Sequence, residues 1–393
     1  MQKKVLSLVL AAMPWMAIAQ STNNDWENPT VPSFNTVTPH AWFIPCSNEP
    51  AAIQQQTSSS ILSLDGMWKF HIVGKPSDRP TDFYKKNHDV SKWSEIPVPA
   101  NWQTLGKDSY IFTDVEYPIK VNPPFVPEDF NPVGSYKRSF QLPAGWKGRD
   151  VFLRFGAVNS FFYCWINDHY VGFSKDSKTP AEFDITSYLK SGSNTVSVQV
   201  FRFCDGTYLE GQDMWKLSGI ERSVELIARP KLAVYDFFAK AGLDASYTNG
   251  VFDCTLTLNR KPVVQKQIAL QVKILDEKGN LVFQQKQLSD TGRNYQFKTE
   301  LKNVKRWTAE TPSLYTMVVN SFDKNGKLIE SFAHRIGFRT AEVKHGLFLI
   351  NGVPVKIKGV NRHEHDMFTA KVISKESMVR DIKVMKAFNI NAV

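Results

Sequence analysis

Asp150 to Lys175 reads DVFLRFGAVNSFFYCWINDHYVGFSK. Three consecutive runs in it, Asp150–Val158, Ser160–Asp168 and His169–Lys175, carry the Val, Phe, Tyr and Ile that suit a pleated, half-buried surface. They alternate or run apolar, and Gly, Asn and Asp punctuate them. No helical period competes over a length that matters. The same texture extends outward in GMWKFHI (66–72), GSYKRSFQL (134–142), NTVSVQVFRF (194–203) and RSVELIAR (222–229). Residues 20–229 therefore form one block of short strands. The block exceeds a seven-stranded immunoglobulin domain of about 100 residues, so a jelly-roll β-sandwich is expected.

Arg229-Pro230 marks a boundary, and residues 230–339 read as simpler hairpins. Ile268, Leu270, Val272 and Ile274 alternate, the chain turns at Glu277–Asn280, and LVFQQKQ returns. LYTMVVNSF turns at Asn325-Gly326, where both residues tolerate positive φ, and returns as KLIESFAHRI. An immunoglobulin-like sandwich follows from this. The last segment, 340–393, changes character. LFLI and VPVKIKGV flank Asn351-Gly352, and a charged cluster, Asn361 to Asp366, comes next. Ser374 can cap a helix with Glu376 in its first turn, and Met378, Ile382, Met385 and Phe388 share one helical face. INAV then opens another strand. Strand, loop, helix, strand is the first βα unit of a TIM (β/α)8 barrel, which needs roughly 250 residues, so the barrel is expected to be truncated here. The fold class is mainly β.

The chain has 393 residues, 42% hydrophobic and 22% charged, an ordinary globular balance. Lys3 and Lys4 precede an apolar stretch from Val5 to Ile18, and Ala17-Ile18-Ala19 fits a signal-peptidase site. Residues 1–19 are thus expected to be a signal peptide, and the protein to be secreted or periplasmic, with no membrane span. Removing them lowers Lys plus Arg from 48 to 46 against 38 acids, a charge of +8. These charges are interspersed, as in LDEKGN and FDKNGK, which argues against a nucleic-acid surface. Cys46, Cys164, Cys204 and Cys254 are widely spaced and contain no CxxC pair. Cys164, within FFYCW, reads as a buried free thiol.

Three clusters carry candidate chemistry. Asn361, Arg362 and His363 fall past the end of VKIKGV, where a parallel barrel places its catalytic groups. His363 and His365 are also a conceivable metal pair, although the HExxH spacing is absent. The stretch FCDGTYLEGQDMWKLSGI sets Asp205, Glu210 and Asp213 among Tyr208 and Trp215, the make-up of a sugar site. The Pro-rich stretch SYIFTDVEYPIKVNPPFVPEDFNPVGSY reads as a long ordered loop, with Asp114 and Asn122 able to reach a ligand. The alternative for each is a loop whose polar residues make turns or meet solvent. Spacing marks no hydrolytic pair of carboxylates.

DWENP (25–29), VPANWQ, TDVEYPIKVNPPFVP, NPVGSYKRSF, DGTYLEGQDMWKLSGI and GVNRHEH, in this order, resemble the large bacterial β-galactosidases of glycoside hydrolase family 2, in their N-terminal portion. The resemblance spans essentially the whole chain after the leader. It implies a retaining enzyme that hydrolyses terminal β-galactosides, whose acid/base and nucleophile glutamates lie beyond Val393. It implies transition-state stabilisation by His363, and contacts from Asp205 to the galactose 6-hydroxyl and a sodium ion. Magnesium is implied too, with its site outside these residues, and room is left for a homo-oligomer at full length. Asp114 stands where these enzymes often carry a sugar-binding Asn; Asp lacks the amide donor and adds a charge. The alternatives are a carbohydrate-binding module without hydrolase activity and a related family 2 exo-β-glycosidase.

Overall fold

The stretch that opens the sequence reading supplies strands to both sheets of the first sandwich. The computed structural model describes residues 24–210, 213–263 and 267–393; the leader read at residues 1–19 lies outside them. The larger sheet has seven antiparallel strands, in the order Ser33–Phe34, His169–Ser174, Phe161–Ile166, Ser193–Phe201, Val133–Gln141, Gly66–Val73, Ser94–Val98. The smaller has four, in the order Ala181–Asp184, Asp150–Phe155, Val224–Arg229, Ile61–Ser63. Between them lies the main core, where Leu153, Phe155, Phe162, Cys164, Val198 and Leu226 meet. Each fully buried side chain of this kind contributes roughly 1.5–3 kcal/mol.

SFFYCWI runs apolar rather than alternating because the larger sheet is covered on both faces. Phe162 and Cys164 point to the inter-sheet core, while Phe161 and Phe201 point the other way. That second face is sealed by Trp26 and by Ile119 and Val126. The Pro-rich segment is thus an ordered loop, as expected, and it also acts as a lid over the sheet. Gly134 lies against the inter-sheet core instead, where Trp102 and Phe70 leave no room for a side chain. A Cβ there would sit 2.6 Å from the Trp102 ring and 2.8 Å from that of Phe70.

The second sandwich packs Val234–Leu243, Gly250–Leu258 and Asn294–Leu301 against a sheet ordered Leu281–Leu288, Ala269–Leu275, Tyr315–Phe322, Leu328–Ile336. Ile268, Leu270, Val272 and Ile274 are all buried, as their alternation predicts. The turn at Asn325-Gly326 differs from expectation. Only Gly326 has positive φ, at 80°. Asp323 instead accepts from the amides of Asn325 and Lys327, both at 2.9 Å, so its side chain builds the turn. Asn351-Gly352 does take two left-handed residues, at 52° and 76°.

The two sandwiches are laced together. Residues after the first short strand cross over: the Val37 amide bonds to Glu182, Phe43 enters the second core, and Cys46 pairs with Ser331. Arg229 reaches from the last jelly-roll strand to Glu330 with two bonds, 3.0 and 2.9 Å, both residues buried. All four cysteines are free and buried.

The terminal segment begins with a hairpin, Ala341–Lys344, Leu347–Ile350 and Val353–Pro354. VPVKIKGV does not form one continuous strand. Val353–Pro354 completes the hairpin, and the following residues run to a single parallel bridge, Gly359 with Ala392. Its ladder is short because the only neighbour described is the brief segment at Asn391-Ala392. The helix Lys375–Ala387 between them matches the sequence reading. Ser374 caps it, accepting from the Ser377 amide at 3.1 Å. None of its residues is buried, and Ile382 and Phe388 are 50% and 76% exposed.

Candidate functional site

The strand Ser193–Phe201 leads into a short 3-10 turn, Asp205–Tyr208, that opens the second candidate cluster. Asp205 is nearly buried. Its Oδ2 receives a 2.8 Å bond from the Lys175 ammonium, and its Oδ1 accepts from the Gly206 amide at 2.8 Å. Lys175 also donates to the Asn28 carbonyl at 2.7 Å. The DWENP residues are thereby fasteners of this site. Tyr163 donates to Asp25 at 2.8 Å, Glu27 accepts from the Val126 amide at 3.0 Å, and Trp26 fills the outer core.

Tyr208 joins the second cluster to the Pro-rich loop. Its hydroxyl lies 2.6 Å from the Phe125 carbonyl and accepts from the Asn122 amide at 3.2 Å. A two-residue ladder, Phe112–Thr113 with Met214–Trp215, joins them again. In the same register Asp114 comes opposite Asp213, and both are exposed. The Asp114 carboxylate folds back on the Val115 amide at 2.5 Å. Glu210 turns inward, accepting from the Ser177 amide and hydroxyl at 3.2 and 2.7 Å. Burial pushes its carboxyl above the usual range. Trp215 stands at the rim with Tyr110 and Phe112 against its edges.

His363 lies on a separate segment, exposed, as is His365. Its neighbours hold that segment in place. Arg362 grips Asp381 of the helix with two bonds, 2.9 and 2.8 Å, so its role here is to fix the helix. Glu364 pairs with Arg222 of the jelly roll at 3.2 Å. Asn101, fully buried, accepts from the Lys371 amide at 3.1 Å and donates to Glu221 at 3.1 Å. Lysines 175 and 371, with Asn101 and Glu221, escaped the sequence reading, since their partners lie 30 to 270 residues away. Only VPANWQ, as a motif, signalled Asn101.

The expected sodium ion does not fit Asp205 as this structure presents it. Lys175 already supplies the cation, and the Gly206 amide takes the other oxygen. Nor does any group of three or more His, Cys, Asp or Glu among the described residues form a metal cluster, with His363 and His365 included.

Three sequence profiles of one family match in succession: "Glycosyl hydrolases family 2, sugar binding domain" over residues 61–230, "Glycosyl hydrolases family 2" over 232–339, and the family 2 TIM barrel domain over 341–393. The chain belongs to glycosyl hydrolase family 2. Within the family it is similar to the beta-galactosidase of Priestia megaterium, 39% identical over 382 residues, which are 94% of this chain and 37% of that protein. A Vibrio vulnificus beta-galactosidase is 40% identical over 375 residues, covering 94% of this chain and 36% of its own length. The chain thus spans little more than a third of these relatives, matching their N-terminal portion. The family 2 fold recurs in solved structures. Bacteroides uniformis beta-glucuronidase aligns with a TM-score of 0.68 at 24% identity, over 83% of this chain and 38% of its own. Bifidobacterium dentium beta-glucuronidase, complexed with coumarin-3-O-glucuronide, aligns at 0.67 and 21%, over 84% and 57%. No helix among the described residues is long and apolar enough to cross a membrane.

Proposed function

We propose that this chain is the sugar-binding N-terminal portion of a retaining β-galactosidase. Asp114 and Asp205 contact the terminal galactose, and His363 stabilises the transition state. The acid/base and nucleophile glutamates belong to barrel elements beyond these residues. The observation that carries this reading is 39–40% identity to proteins named beta-galactosidases over 94% of the chain. The likeness to glucuronidases, at 24% identity or less, speaks to fold alone. Geometry adds support: Asp114, Asp213 and Trp215 share one exposed rim, acid beside aromatic, as a sugar's hydroxyls and C–H face require.

The organisation that goes with it is a secreted or periplasmic protein, cleaved after Ala19, with domains at 20–229, 230–339 and 340–393. The profile matches at 61–230, 232–339 and 341–393 support that partition. A carbohydrate-binding role without hydrolysis is the second reading, favoured by the two-sheet sandwich with its lidded face.

Two measurements test the proposal. The 393-residue chain should not turn over a chromogenic β-galactoside; hydrolysis at ordinary enzyme rates would place the glutamates within it and overturn the assignment. Galactose should bind in the millimolar range and be lost in D114A. Unchanged galactose binding in that variant would remove Asp114 from the site.

A further inference from the structure

Residues 37–43 cross from the jelly roll to the second sandwich as a strap stitched to both. On the jelly-roll side the Val37 amide bonds to the Glu182 carbonyl, and the Arg154 guanidinium lies 4.1 Å from the centre of the Trp42 ring. On the other side Tyr235 donates to the Thr38 carbonyl, the Ala41 amide donates to Asp236 at 2.8 Å, and Phe43 stacks on Phe332. His40 sits in the middle of the strap. Its Nε2 is 3.2 Å from a Glu182 carboxylate oxygen, and its Nδ1 is 3.0 Å from the Ala41 carbonyl. The ring packs 4.6 Å from that of Tyr235. The His40 and Glu182 side chains are each 11% exposed.

Both polar neighbours of the imidazole are acceptors. A carbonyl and a carboxylate have no proton to give, and a neutral imidazole has only one N–H. Either neutral tautomer would turn a bare ring nitrogen on an oxygen in this largely buried place. The imidazolium donates to both. The other Glu182 oxygen already faces Arg154 at 3.5 Å. The surrounding charges favour the same state. Arg154 and Arg229 are the cations near the ring, and Glu182, Glu225, Glu330, Asp236 and Asp176 are the acids. Burial raises the pKa of Tyr235, which leaves that ring neutral. Without a proton on His40 the acids outnumber the cations. Burial opposes the charge on His40, yet its bonds to Glu182 and Ala41 prevail and raise its pKa above the ordinary 6.5.

We propose that His40 is a proton-operated clasp between the two sandwiches: as the imidazolium it ties the strap to Glu182, and on losing its proton it releases that tie. The unfolded chain, with an ordinary histidine, gives up the proton first as pH rises. The stabilisation is therefore complete below about pH 6.5 and is lost as pH rises through the higher folded value. A cavity of about 330 Å³ runs beside residues 37–40, so the released strap has room to move. Its bonds to Tyr235 and Asp236 and the Phe43 anchor remain, so it loosens without detaching.

The test is nitrogen-15 NMR of the 393-residue chain labelled at histidine, titrated from about pH 5.5 to about 8.5. The His40 ring, recognised by its contact with Tyr235, should carry protons on both nitrogens at pH 6.5 and reach half-protonation above it. E182Q keeps the residue's size, removes its charge, and should bring half-protonation down. Urea unfolding supplies the linkage. Relative to H40Q, the wild-type unfolding constant should rise by up to about tenfold per pH unit between the unfolded and folded values. Hydrogen-exchange protection of residues 37–43, corrected for the intrinsic rate, should fall over the same range and stay level in H40Q. A neutral tautomer at pH 6.5, an unchanged titration in E182Q, or parallel wild-type and H40Q curves would overturn the proposal. The wild-type NMR titration needs no variant, so it decides the matter even if H40Q does not fold.

Discussion

Replacing Asp205 by Ala should destabilise the jelly roll as well as weaken galactose binding. Lys175 and Asp205 lie 2.8 Å apart, each side chain 7% exposed. In D205A the ammonium keeps only the Asn28 carbonyl, at 2.7 Å. Breaking a buried pair by removing one partner costs about 3–5 kcal/mol, because the remaining charge is stranded. For a sandwich of this size that corresponds to a fall in Tm of roughly 6–20 °C. Urea denaturation followed by tryptophan fluorescence reads the change, since Trp26 is buried in the outer core of this sandwich. K175M should cost a comparable amount. The double variant K175M/D205A should cost much less than the sum, because neither charge is then left behind. A loss under about 1 kcal/mol in D205A, or strict additivity in the double variant, would refute the idea that Lys175 is the built-in counter-cation of this carboxylate.

Three other outcomes follow from the packing. E330A should strand the Arg229 guanidinium at the junction of the two sandwiches and cost about 3–5 kcal/mol; calorimetry should also show the sandwiches melting less cooperatively. G134A should cost about 1–3 kcal/mol by overpacking, since its Cβ meets the Trp102 and Phe70 rings at 2.6 and 2.8 Å; an unchanged denaturation midpoint would contradict this. Burial holds the folded pKa of Lys371 at about 8, below the ordinary lysine value of 10.5. Between those values the unfolded chain holds the extra proton, so stability should rise with pH across that window. Hydrogen-exchange protection around residues 361–371, taken relative to the intrinsic rate at each pH, should rise accordingly, and K371Q should abolish the trend.

Much of the fold was legible because burial leaves a period in the sequence. Ile268, Leu270, Val272 and Ile274 declared their strand, and Ser374 with Glu376 declared the helix start. The Asn325-Gly326 turn was placed correctly but by a partly different mechanism, since an aspartate side chain does work assigned to the Asn backbone. The candidate site was less legible. Asp114, Asp205 and His363 stood out as residue types in suggestive company. Arg362 looked catalytic in the same company, yet it fastens a helix.

The sequence by itself determined two β-sandwiches, a βα unit after them, and the family to which they belong. Those features depend on local periodicity, turn chemistry and ordered motifs, all of which are written along the chain. Tertiary structure decided that the Pro-rich segment is a lid, that Lys175 neutralises Asp205, and that His40 meets Glu182. These depend on which distant residues end within a few ångströms of each other. Electrostatics and hydrogen bonding act over that distance, and sequence separation carries no record of it.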